Sequence, residues 1–118
     1  MLDEAYTVEY LETFRRELDE DADYIAFELE NPLAAIELVD KVEESIARTA
    51  NAPLVTKPYG TDVESGDVYY RINIGNFSVF YVVIKNVMEV RWFRYSRSQQ
   101  PLKKYPRYNN SDPFHFKS

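Results

Sequence analysis

From Tyr69 to Arg97 the chain reads YYRINIGNFSVFYVVIKNVMEVRWFRYSR, a stretch that holds Arg71, Asn73, Arg91, Arg94, Tyr95 and Arg97. A guanidinium keeps its proton at ordinary pH, and its planar fork meets phosphate oxygens two at a time. A tyrosine ring stacks on a nucleobase or anchors an interface. Arginines and tyrosines at close spacing therefore suit a surface that meets an anionic polymer. Farther along, PLKKYPRYNN interleaves Lys103, Lys104 and Arg107 with Tyr105 and Tyr108, a pattern of phosphate contact plus base stacking. The same segment also fits a plain basic tail that aids solubility. Asp19-Glu20-Asp21 could suggest a divalent cation, but three successive residues on a helix point in three directions. No metal site and no cofactor are expected.

The elements that must position these groups can be read from turns and periodicity. Three strands are predicted, at Tyr69–Ile74, Phe77–Ile84 and Met88–Tyr95, because their residues are almost all β-branched or aromatic. Gly75-Asn76 supplies the first turn and Lys85-Asn86 the second. Turns this short make neighbouring strands antiparallel, so the stretch is a β-meander. Strict alternation puts Tyr70, Ile72 and Ile74 on one face, and Tyr69, Arg71 and Asn73 on the other. On the third strand it groups Arg91 with Phe93, Tyr95 and Arg97, against Val90, Trp92 and Arg94. One face of the sheet is then apolar and covered, and the other shows arginines, tyrosines and amides.

Upstream, Tyr6–Tyr10 alternates as a short edge strand. Leu11, Phe14, Leu18, Ala22, Ile25 and Leu29 form one helical stripe, with Glu17, Asp19, Glu20, Asp21 and Asp23 on the solvated side. Asn31-Pro32 ends that helix near Glu30 and caps a second, whose stripe is Ile36, Val39, Val42 and Ile46. The two make an αα-hairpin, the available cover for the apolar sheet face. Residues 51–67 read as a loop, with two prolines, two glycines and no periodicity. The fold class is α+β in the order β-α-α-β-β-β, a domain over residues 1–97. Residues 98–118 read as an extended or disordered tail.

Charge sharpens the question of partners. The net charge is −6, which argues against nucleic acid, yet it is unevenly placed. Residues 1–50 hold fifteen acids and four bases, whereas residues 51–118 hold ten bases and five acids. Such asymmetry points to an anionic partner for the second half. No cysteine is present, so disulfides and thiolate metal sites are excluded. No apolar run reaches membrane-spanning length, and a soluble, cytoplasmic protein is expected.

The ordered set of NPLAAIEL, NAPLVTKPYG, YYRINIGNFSVFYVV and VMEVRWFRYSR resembles the RelE/ParE superfamily of bacterial type II toxins over residues 6–97. The resemblance implies a microbial RNase-like α/β fold, a toxic activity and a cognate antitoxin protein that wraps and silences it. It also implies two sub-classes. One cuts messenger RNA on the ribosome, and the other poisons DNA gyrase without being a nuclease. The first is expected here, a metal-independent endoribonuclease that inhibits translation; gyrase poisoning, or a decayed member that only binds, are the alternatives.

For the nuclease the resemblance assigns roles residue by residue. Arg71 falls where such members carry a base on the first meander strand, and Arg97 at the basic position beyond the third. Asn73 replaces a second frequent base. Ser78 stands where the second strand usually has an arginine, which removes the cation expected nearest the scissile phosphate. Cleavage by the 2′-hydroxyl also needs a proton acceptor. The single histidine, His115, lies in the tail and is better read as solvated. Tyr95 is the first candidate, with Tyr105 and Tyr108 of the tail next, provided neighbouring arginines lower the phenol from about 10. Arg91 and Arg94, with Asn73 and the tail residues Lys103, Lys104, Tyr105 and Arg107, would hold substrate.

Overall fold

Two positive-φ residues set the sheet. Gly75 (φ +59°) and Lys85 (φ +60°) close the turns on either side of the central strand. The computed structural model describes residues 6–95. Its order is β1 (Thr7–Tyr10), α1 (Glu12–Asp23), a π-helical turn (Tyr24–Glu28), α2 (Pro32–Thr49), β2 (Gly60–Thr61), β3 (Val68–Ile74), β4 (Phe77–Ile84) and β5 (Val87–Tyr95). The strands form one sheet in the order β1-β5-β4-β3-β2. The meander β3-β4-β5 is antiparallel, and β1 lies parallel to β5 at the edge, Thr7 opposite Val87 and Tyr10 opposite Val90. This is the expected α+β architecture. The short β2, inside the segment expected to be irregular, pairs antiparallel with Val68 and Tyr69.

The helical hairpin covers one face of the sheet. Phe14 and Leu18 of α1 and Val42 and Ile46 of α2 pack on Ile74, Val79, Tyr81, Met88, Val90 and Phe93. Phe93 carries an edge-on contact from Phe14 and a stacked one from Phe77, with ring centroids 6.1 and 4.9 Å away. The α2 start is as the sequence indicates: Asn31 Oδ1 accepts the Ala34 N–H at 3.1 Å and Pro32 opens the helix. The loop after α2 is tied down by Pro53, whose carbonyl accepts the buried Tyr81 hydroxyl at 2.7 Å.

Four expectations need correction. Glu17 and Asp21 are buried rather than solvated, because α1 crosses the end of β5 and turns that side of the helix inward. Leu29 and Ile36 are exposed rather than in the core. A π-helical turn replaces the last α-helical turn before Asn31, and α2 packs instead through Ala35, Leu38, Val39, Val42 and Ile46. The outer sheet face is not polar throughout, since Tyr69, Phe80 and Val82 form a second buried cluster with Trp92 against it. Finally, a β-bulge sets Phe80 opposite Trp92 but Tyr81 opposite Val90, so Arg91 is the extra residue. Strict alternation fails there. Val90 and Phe93, three apart, both point into the core.

Candidate functional site

The outer face of the sheet is where the sequence places its cations, and the structure uses them unequally. Arg71 is exposed on β3, its guanidinium carbon 4.5 Å from the centre of the Tyr59 ring. Tyr59 in turn meets Phe80 edge-on at 5.1 Å, and its backbone N–H donates to the Tyr69 carbonyl at 2.7 Å. Arg71 therefore stands on an aromatic platform anchored to the second cluster. Beside it Asn73 and Ser78 are directly opposite across β3 and β4, and the Ser78 hydroxyl donates to Asn73 Oδ1 at 3.2 Å. These side chains are brought together as a small polar surface.

Arg91 and Arg94 are engaged elsewhere. Arg91 Nη1 donates to Asp67 Oδ2 at 3.0 Å and to the Tyr69 hydroxyl at 2.8 Å, and its Nε donates to Glu89 Oε1 at 2.8 Å. Burial opposes its charge, but the bonds to Glu89, Tyr69 and Asp67 outweigh that, and the pKa is raised above the ordinary arginine value. Arg94 is buried, and its Nη1 donates to Glu17 Oε2 on α1. The other oxygen of the same carboxylate accepts the Phe93 N–H at 2.9 Å. Strand β1 pairs with β5 only as far as Val90, so this carboxylate takes over the open strand edge beyond it. A buried ion pair of this kind holds α1 to the sheet. Its guanidinium is not presented to a ligand.

Tyr95 is also packed away. It is buried, with its ring edge-on to Phe77 at 5.2 Å, and burial raises its phenol pKa. A general base needs the opposite shift. The expected roles of Arg91 and Arg94 as substrate contacts, and of Tyr95 as a lowered phenol, therefore do not match this geometry. Arg97, Lys103, Lys104, Tyr105, Arg107, Tyr108 and His115 lie outside the described residues. Sequence reasoning missed Glu17, Asp67 and Glu89 as partners of the arginines. Glu89 and Arg91, two apart on one strand, carried a usable signal; Glu17 and Arg94 are far apart in sequence and carried none.

A second feature lies on the helical side. A cavity of about 430 Å³ opens between α1 and α2 and is lined by Phe14, Leu18, Val42 and Ile46, with Tyr10 at its β1 end. Its polar rim is Arg15, Asp19 and Glu43. The Arg15 guanidinium carbon lies 4.8 Å from the Tyr10 ring centre, and burial, with Glu43 adding and Arg15 opposing, raises the Tyr10 phenol pKa. An apolar floor with a charged rim suits a peptide side chain better than a small polar substrate.

The family model described as the ParE toxin of the type II toxin-antitoxin system, parDE, matches residues 8–98. Among solved structures, a chain of the chromosomal ParDE toxin-antitoxin system from P. aeruginosa superposes with a TM-score of 0.63 at 12% sequence identity, covering 78% of this chain and 97% of that one. That likeness is one of fold. No curated protein matches the chain by sequence.

Proposed function

We propose that this chain, which belongs to the ParE toxin family of type II toxin-antitoxin systems, stops growth by binding DNA gyrase rather than by cutting messenger RNA. One observation carries the choice. Arg94, a cation expected to hold the nuclease's substrate, is buried in an ion pair with Glu17 and holds a helix in place. Arg91 is likewise held by Asp67 and Glu89, Ser78 stands where an arginine was expected, and the Tyr95 phenol is shifted away from proton acceptance. What the outer face offers is a binding surface of Arg71, Tyr59, Asn73 and Ser78, suited to contact rather than to proton transfer. The family also implies a cognate antitoxin. Its natural seat is the groove between α1 and α2, where apolar side chains of an amphipathic helix would enter between Arg15, Asp19 and Glu43.

The cellular response distinguishes the two activities. Induced expression should give DNA breaks and an SOS response while transcripts stay whole. Cleaved transcripts with intact DNA would restore the ribosome-dependent nuclease.

A further inference from the structure

The closed end of the helical hairpin carries four large apolar side chains in solvent. Phe27, Leu29, Leu33 and Ile36 are 74%, 53%, 64% and 57% exposed, all within ten residues around one turn. Leu29 and Ile36 fall on the apolar stripes read for their helices, yet both are exposed. At Leu29 the backbone departs from the α-helix. Leu29 N–H donates to the Tyr24 carbonyl and Asn31 N–H to the Ile25 carbonyl, a widened turn, and Glu30 closes it at φ +54°, a left-handed conformation uncommon outside glycine. Exposed apolar groups gathered this closely on a soluble domain mark an interaction site.

Charge says what kind of partner fits. From Asp23 to Lys41 the segment holds Asp23, Glu28, Glu30, Glu37 and Asp40 against the single base Lys41. A second copy would bring carboxylates against carboxylates, which disfavours self-association through this end. A second exposed apolar group, Leu54, Val55, Val63 and Val68, lies in and beside a loop that holds Asp62, Glu64 and Asp67 against Lys57, so it is acidic too and no complement to the hairpin end. We propose that the hairpin end, Phe27, Leu29, Leu33 and Ile36 among these carboxylates, docks an amphipathic segment of a partner protein whose apolar side chains are flanked by lysine or arginine. This surface is separate from the α1–α2 groove and does not depend on gyrase being the target.

The test uses the full chain and a short helical peptide of leucine and lysine, followed by fluorescence anisotropy and by amide shifts in NMR. Saturable binding is expected, with shifts concentrated in residues 24–41. Leu33→Ser with Ile36→Ser should weaken it about tenfold while circular dichroism is unchanged. Glu30→Gln with Glu37→Gln should weaken it and flatten its salt dependence. Equal affinity for a permuted, non-amphipathic peptide would overturn the proposal. So would shifts centred on residues 54–68, or a wild-type dimer that the Leu33→Ser, Ile36→Ser variant dissolves.

Discussion

Two arginines on the same sheet face illustrate how little residue type decides by itself. Arg94 lies among buried groups, with one carboxylate serving both its guanidinium and the Phe93 amide. Removing one member of a buried pair leaves the other charged and unsolvated, a loss of about 3–5 kcal/mol. Arg71 rests on an exposed ring, where its substitution should alter stability by only about 0.5 kcal/mol. Thermal unfolding of Arg94→Ala and Arg71→Ala should therefore differ sharply, Arg94→Ala melting many degrees lower. Growth arrest should be lost in Arg71→Ala at unchanged melting temperature if its platform contacts the target. Equal melting temperatures would show that the Glu17 contact does not hold α1 to β5.

The elements were legible wherever the deciding chemistry is local. Gly75-Asn76 and Asn31-Pro32 act through the conformations of their own residues, so the meander and the hairpin stand where the sequence puts them. Replacing Asn31 by alanine removes the oxygen that accepts the Ala34 N–H, and should cost about 1 kcal/mol in chemical denaturation; no change would mean that the cap is inert. What could not be read depends on the fold as a whole. The bulge at Arg91 reverses the alternation that grouped it with Phe93, and nothing in MEVRWFRY announces an extra residue. Parallel pairing of β1 with β5 requires knowing where the hairpin returns the chain. The inward turn of Glu17 follows from that same crossing, because it is the end of β1 that leaves the β5 edge open. Sheet, hairpin and Arg71 were therefore visible in sequence, whereas the pairing of Arg91 and Arg94 with carboxylates was not.

On the scale of the whole molecule, an acidic hairpin covers one side of a sheet whose other side is partly basic. The cohesion of the described residues rests on the aromatic core. Tyr81 reports on that core. It is fully buried, hydrogen-bonded to Pro53, and its phenol is pushed up to about 12 by burial, with Thr56 opposing and Tyr70 adding. A raised phenol pKa means that the unfolded chain ionises first. The associated stability is complete below about pH 10 and is lost as the pH climbs toward 12, on the order of 2 kcal/mol. Denaturant midpoints should be flat on approach to pH 10 and fall above it, and Tyr81→Phe should blunt that fall. An equally steep fall in the variant would assign the effect to other groups.

The two faces of this molecule meet in the question of its target. Purified toxin, added to gyrase and relaxed plasmid, should inhibit supercoiling and trap cleaved DNA in proportion to its concentration, and should leave messenger RNA uncut on translating ribosomes. Undisturbed supercoiling together with messenger RNA cut in the ribosome would contradict the account.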